Sequence, residues 1–197
     1  MDWEKIIIKE RPDSVTWEEI SSVLIQAHKA NVEKGIVLPY PQLPPEAIKV
    51  KTEARGGKMF VALYEGKVVG TGAVAIIEKD FWCGQGRYVY CFLDAVLPEY
   101  AGKGVYRRIV TAQEEFAISS GVTRMLFDTD DKNYRMLNIS KKHGYLPVEF
   151  RVKESRNSIV LVKWLEERPY SWFQCYRMFR RIRRNKLKRH KIKSAIN

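Results

Sequence analysis

Three β-rich runs follow one another with no helix between them: Met59 to Leu63, Val68 to Val74 and Tyr88 to Val96. Tyr64-Glu65-Gly66-Lys67 joins the first two, and an acidic residue followed by glycine between such runs reads as a hairpin. Residues 79 to 87 form a Gly-containing loop before the third. Pro98 stops that third run, Gly102-Lys103-Gly104 follow, and Ile109, Ala112 and Phe116 then fall on one face of a helix. Consecutive strands that give way to strand–helix alternation exclude a repeated βαβ fold.

The rest of the chain fits the same class. Ile6-Ile7-Ile8 is a short β-branched run suited to an edge strand. Asp13, Ser14 or Thr16 can cap a helix with Ile20, Val23, Leu24 and Ala27 on its apolar face, and Thr16 with Glu19 reads as a capping box. Pro39, Pro41, Pro44 and Pro45 punctuate a loop, and Pro45 suits the first turn of a second helix over residues 46 to 52. Thr123 to Phe127 predicts a short strand, residues 131 to 143 a helix stopped by Gly144, and residues 148 to 152 with 158 to 164 a closing hairpin. The expected order is β-α-α-β-β-β-α-β-α-β-β, an α+β (mixed α/β) architecture.

Length and composition restrict the function classes. With 197 residues, 45% apolar and 12% aromatic, the chain buries a core without disulfide or metal. Cys83, Cys91 and Cys175 are an odd number with no CxxC pair, which argues against a disulfide framework and a zinc site. The opening MDWEK predicts no secretory signal, and the longest nearly apolar run, Val68 to Ile77, is far short of a membrane span. A cytoplasmic protein is expected. The net charge of +12 is unevenly placed: residues 168 to 197 hold eleven Lys or Arg and no acid, leaving 24 basic and 23 acidic residues in 1 to 167.

The strongest chemical signal is V-L-P-E-Y-A-G-K-G-V-Y-R-R-I-V, Val96 to Val110. A strand ends, two glycines follow, and a helix begins. Glycines let successive N–H groups converge, and the helix N-terminus adds partial positive charge, so the turn suits a pyrophosphate. Alone, it is equally a tight turn without a ligand. It is neither a Walker loop nor the dinucleotide fingerprint, which needs a third glycine. A second segment, N-Y-R-M-L-N-I-S-K-K-H-G-Y, spans Asn133 to Tyr145.

With both segments in place, residues 58 to 165 resemble the GNAT acyltransferase superfamily, which moves an acyl group from coenzyme A. The family's turn reads Q/R-x-x-G-x-G/A; here Gly104 matches, whereas Ala101 and Tyr106 depart. Its later segment reads N-x-x-A-x-x-L-Y-x-K-x-G-F; Asn133, Lys142, Gly144 and Tyr145 match, and Ser140 takes the tyrosine place. The resemblance implies a central, mostly antiparallel sheet splayed between its fourth and fifth strands and flanked by helices. It implies that Asp94, Ala95 and Val96 pair with pantetheine, with the N–H of Val96 as oxyanion donor. Gly102, Lys103, Gly104, Val105, Tyr106 and Arg107 would take the pyrophosphate of acetyl-CoA, and Asn133 the pantetheine arm. Seven residues separate Asn133 from Ser140, two helical turns, which predicts one shared groove.

Acyl transfer to an amine requires a proton acceptor, an oxyanion donor and a route for the departing sulfur. Asp128 and Asp94 are the candidate bases; within Asp128-Thr129-Asp130-Asp131 the former is equally a helix cap. Ser140 can hydrogen-bond the sulfur, and Tyr106, Tyr134 or Tyr145 can substitute, with Tyr145 suited to the core. His28, His143 and His190 form no readable dyad; His143 suits the helix dipole as a cation. Cys91 reads as an inert hydrophobe; Leu38 to Pro41 lie where the resemblance implies a roof over the acceptor, and read equally as a plain packing loop. The expected activity is direct transfer of an acetyl group from acetyl-CoA to a small acceptor, an amine or amino sugar, in a ternary complex and without metal. A non-catalytic coenzyme A-binding module and a nucleic-acid-binding protein are the rival readings.

The chain divides at residue 167: residues 1–167 form the acyltransferase domain and 168–197 a basic aromatic tail. Trp172, Tyr176, Phe179 and Ile182 make one helical stripe amid arginines. Such a helix suits an anionic surface on the inner face of a membrane, or RNA or DNA, or docking of Trp172 to Phe179 on the domain.

Overall fold

A computed structural model describes residues 3–36, 44–78, 86–152, 157–166 and 171–196. The proline-punctuated roof at Leu38 to Pro41, Cys83 and most of the loop over 79 to 87 lie outside these residues.

The elements are β1 (Ile7–Glu10), α1 (Trp17–Glu33), α2 (Pro45–Glu53), β2 (Lys58–Tyr64), β3 (Lys67–Glu78), β4 (Arg87–Val96), α3 (Val105–Ser119), β5 (Arg124–Asp130), α4 (Tyr134–Lys142), β6 (Leu146–Val152), β7 (Asn157–Trp164) and α5 (Trp172–Ile196). The strands form one seven-stranded sheet in the order β1-β2-β3-β4-β5-β7-β6. Every neighbouring pair is antiparallel except β4 and β5. The architecture is the expected mixed, mostly antiparallel sheet flanked by helices.

Local chemistry accounts for these elements. The Thr16–Glu19 capping box forms in full and starts α1. Glu65 (φ 50°) and Gly66 (φ 80°) make the two-residue turn between β2 and β3; positive φ at both positions matches the right-handed twist of the strands it joins. Gly144 (φ 82°) follows the end of α4 as a left-handed stop. Ile20, Val23 and Leu24 of α1 pack with Val61, Ala73, Ala75 and Phe92 on one side of the sheet. On the other side Gly72 and Phe60 meet α3, where Phe60 and Phe116 are in edge contact at 6.4 Å.

Two features open the sheet. First, only Val89↔Met125 and Tyr90↔Leu126 pair between β4 and β5, so the strands diverge beyond them. The later residues of β5 stay paired with β7 alone. Second, β4 carries a bulge: Thr71 pairs with Ala95 but Ala73 with Phe92, so β4 contains an extra residue there. Leu93 takes φ 57°, and the Thr71 hydroxyl donates to its carbonyl at 2.8 Å.

The basic tail is part of the packing. Ser171 and Gln174 form a reciprocal cap (2.8 and 3.3 Å) at the start of α5. The helix lies against β6. Cys175 and Phe179 are buried, with Ile182 and Leu187 partly buried beside them. The expected stripe is thereby corrected: Tyr176 is 38% exposed, and Cys175 takes the inward place. The docking face is set by contact with Phe150, whose ring meets Phe179 edge-on at 6.4 Å. The proposed boundary at residue 167 falls outside the described residues. No helix among the described residues is long and apolar enough to cross a membrane.

Candidate active site

The divergence of β4 from β5 forms a cavity of about 520 Å3 that reaches α1, α3 and α4. Asp94, Ala95, Val96, Gly102, Gly104, Val105, Tyr106, Arg107, Asp128 and Asn133 all line it. Lys103 and Ser140 do not. An unpaired strand edge offers main-chain donors and acceptors to an extended ligand.

One end of the cavity is the glycine turn. Gly102 (φ 77°) and Gly104 (φ 79°) both occupy the left-handed region. Gly104 is the cap of α3 and supplies no side chain, so no cap hydrogen bond covers the first N–H groups of the helix, which have no intrahelical acceptor. Arg107 adds charge at the same end. Convergent N–H groups, the helix dipole and a guanidinium suit phosphate oxygens.

The two carboxylates lie on opposite faces of the sheet. Asp94 follows the bulge and points toward α3, where Gln113 Nε2 donates to Oδ1 at 2.8 Å and the Tyr106 hydroxyl to Oδ2 at 3.5 Å. Gly72 makes this possible, since a Cβ there would stand 2.7 Å from Gln113 Nε2 and 2.9 Å from Asp94 Oδ1. Burial pushes the Asp94 carboxyl up to about 7, against the opposing effect of the Gln113 and Tyr106 hydrogen bonds. Burial likewise raises the Tyr106 phenol well above its ordinary value, and the adjacent Asp94 adds to that.

Asp128 lies within β5, paired with Val160, and accepts a hydrogen bond from the Tyr90 hydroxyl. It is not the cap of the next helix. That role falls to Asn133, whose Oδ1 accepts from the Met136 N–H at 3.2 Å while its Nδ2 donates to Thr129 Oγ1 at 3.2 Å. Tyr90 stacks on Phe92 (6.0 Å, 19°), and Lys51 Nζ lies 5.6 Å from the Phe92 ring centre. Burial lowers the Lys51 ammonium, and the charge of Asp128 opposes that shift. Arg151, paired with Glu149 at 3.0 Å, also feels the Asp128 charge.

Ser140 departs from its expected place. It is 1% exposed and donates to the Met136 carbonyl at 2.6 Å. The seven-residue spacing argument required Asn133 to lie inside the helix, and it caps the helix instead. His143 also differs from expectation. Burial first, then the charge of Lys163, lowers its pKa, with Glu114 opposing and Arg107 adding to the shift. Its ring meets Tyr106 edge-on at 5.7 Å. Cys91 and Tyr145 are buried in the core, as their sequence context suggests.

The cavity also contains residues that the sequence reading left aside, chiefly His28 and Asn31 of α1. Burial lowers the His28 pKa, while a hydrogen bond with the Asp94 main chain opposes the shift; Nδ1 lies 3.4 Å from Asn31 Nδ2. A signal was available: Leu24, Ala27, His28 and Asn31 recur at helical spacing, so a histidine and an asparagine extend an apolar stripe. Among the described residues no group of three or more His, Cys, Asp or Glu is arranged to hold a metal.

Comparison with known proteins agrees with this geometry. Residues 23–145 match the model of the Acetyltransferase (GNAT) family. No match was found among curated proteins. Among solved structures, an acetyltransferase from Streptococcus agalactiae is 22% identical with a TM-score of 0.63, over 82% of this chain and 99% of that one. The ribosomal-protein-S18-alanine N-acetyltransferase from Escherichia coli is 12% identical (TM-score 0.60), over 82% and 95%. Aminoglycoside 6′-acetyltransferase type Ii is 16% identical (TM-score 0.61), over 83% and 99%. With a family match across most of the domain and a sheet opened at the fourth and fifth strands, the chain belongs to the GNAT acetyltransferase family.

Proposed function

We propose that this acetyltransferase moves the acetyl group of acetyl-CoA directly to a small amine, amino sugars included, within a ternary complex. The observation that carries the reading is the cavity itself, whose lining holds both a phosphate-type turn and the Asp128–Tyr90 pair. Acetyl-CoA enters as cosubstrate, its pyrophosphate at Gly102 to Arg107 and its pantetheine along Asp94 to Val96. The amine nitrogen attacks the thioester carbon, the C–S bond breaks, coenzyme A leaves as thiolate, and the proton that the new amide nitrogen sheds passes to that sulfur or to water. The N–H of Val96 receives the oxyanion.

Asp128 is the acceptor-side carboxylate: it holds the incoming ammonium and receives its proton, directly or through one water. Asp94 acts differently, because Gln113 and Tyr106 occupy both its oxygens from the α3 side. It holds the bulge that presents Ala95 and Val96. Lys51 and Arg151, cations that the charge of Asp128 reaches, suit an acceptor that carries an anionic group near its amine.

The test is thiol release from acetyl-CoA against a panel of small amines, with and without a neighbouring carboxylate or phosphate. Asp128→Asn is expected to lower kcat about a hundredfold while coenzyme A affinity by calorimetry stays unchanged. Coenzyme A binding with no turnover on any amine would replace this reading with a non-catalytic binding module.

A further inference from the structure

We infer that α5 is a rigid cationic contact surface for an anionic lipid bilayer, a role separate from acetyl transfer. The helix carries ten Lys or Arg and no acid in its 25 residues. Its apolar stripe is occupied, since Cys175 and Phe179 are buried against the sheet. Two of its cations also reach the domain: Arg183 lies over the Phe150 ring at 5.4 Å, and Lys186 is 3.7 Å from Glu149. This docking aims the remaining arginines away from the domain. Arg177, Arg180, Arg181 and Arg184 are all exposed and share one outward face at helical spacing. Lys188 and Lys191 continue that face in the sequence.

The form of the surface favours a bilayer over a duplex. A helix of 25 residues runs unbroken for about 37 Å. An unbroken row of charges meets a flat anionic plane along its whole length, whereas the backbones of a nucleic-acid duplex wind away from it. Aromatic groups stand at the start of the row: Phe173 is 62% exposed, with Arg177 5.9 Å from its ring, and Arg180 lies 5.9 Å from the ring of Tyr176. Arginine and aromatic side chains together suit the headgroup level of a membrane. Because the apolar stripe is spent on β6, attachment is electrostatic and reversible by salt rather than insertive.

The experiment is cosedimentation of the full chain with vesicles of phosphatidylcholine alone and of phosphatidylcholine mixed with phosphatidylserine, at low and high salt. Binding to the mixed vesicles alone, released by high salt, is expected. Reversal of three outward charges, Arg177→Glu, Arg181→Glu and Arg184→Glu, is expected to weaken it at least about a hundredfold. The same charge change placed on the domain, Lys9→Glu, Lys34→Glu and Lys67→Glu, leaves binding within about threefold by distance from the surface. Unchanged coenzyme A affinity and far-ultraviolet circular dichroism establish that each variant is folded. Equal binding to both vesicle types, retention by the α5 variant, or tighter binding to RNA or duplex DNA than to the mixed vesicles at matched salt would each overturn the inference.

Discussion

Asp94 sits on the floor of the cavity with its carboxyl oxygens toward Gln113 and Tyr106 and its main chain toward His28. Its carboxyl is raised from 3.8 to about 7 by burial. Between those values the folded protein holds the proton that the unfolded chain has released, so stability falls as pH rises through that window and levels off above it. Asp94→Asn removes the titration while preserving an acceptor for Gln113. Relative to the variant, the wild type is expected to lose about 4 kcal/mol on passing from below the window to above it. Urea unfolding at pH values below, within and above the window checks this, and a constant difference between the two proteins would mean that Asp94 does not titrate there. Of these contacts the sequence shows only the candidate acid. Gln113 reads as an ordinary helical polar residue, and Gly72 as a strand glycine, because their meeting depends on the bulge at Leu93. Asp128 was legible as an acid after a strand, yet its neighbour Tyr90 comes from a strand 38 residues earlier.

At the scale of elements, the long apolar runs were read well and the polar ends were not. β5 extends to Asp130 rather than stopping at Phe127, because Asp128, Thr129 and Asp130 pair with Val160, Ile159 and Ser158. A polar D-T-D run resembles a turn until the partner strand is known. The same limit left the fate of α5 open: its start is capped by Ser171 and Gln174, and its docking face is chosen by Phe150 and Glu149 on a remote strand. Phe179→Ala is therefore expected to destabilise the whole domain by about 3 kcal/mol, the lower end for a buried phenylalanine. Deletion after Glu167 is expected to do more, since Cys175 and Phe179 both leave the core. Thermal denaturation of the two proteins measures this. An unaltered midpoint in Phe179→Ala would show α5 to be an independent appendage, and would remove the fixed geometry on which the outward arginine face depends.

For the molecule as a whole, the consequential fact is how little joins the two sides of the sheet. β1 to β4 form one ladder and β5, β7 and β6 another, and among the described residues the only register pairs between them are Val89↔Met125 and Tyr90↔Leu126. A ligand laid along the open edge touches β4, the α3 turn and the α4 side at once, so its binding energy adds to the cohesion of both parts. Coenzyme A at about one hundred times its dissociation constant is expected to stabilise the folded state by about 2.7 kcal/mol. For a domain of this size that corresponds to a rise of about 5–10 °C in Tm. Gly104→Val is the informative control. A Cβ at Gly104 meets nothing within 4 Å, so the substitution makes no steric clash with the core, but φ there is 79°. A β-branched residue is a marked outlier at that angle, so the turn must rearrange and its N–H groups no longer converge. The variant is expected to keep a cooperative unfolding transition and to lose the coenzyme A-dependent rise. Equal rises in both proteins would place the phosphates elsewhere in the cavity; a rise confined to the wild type ties the glycine turn to the joining of the two halves.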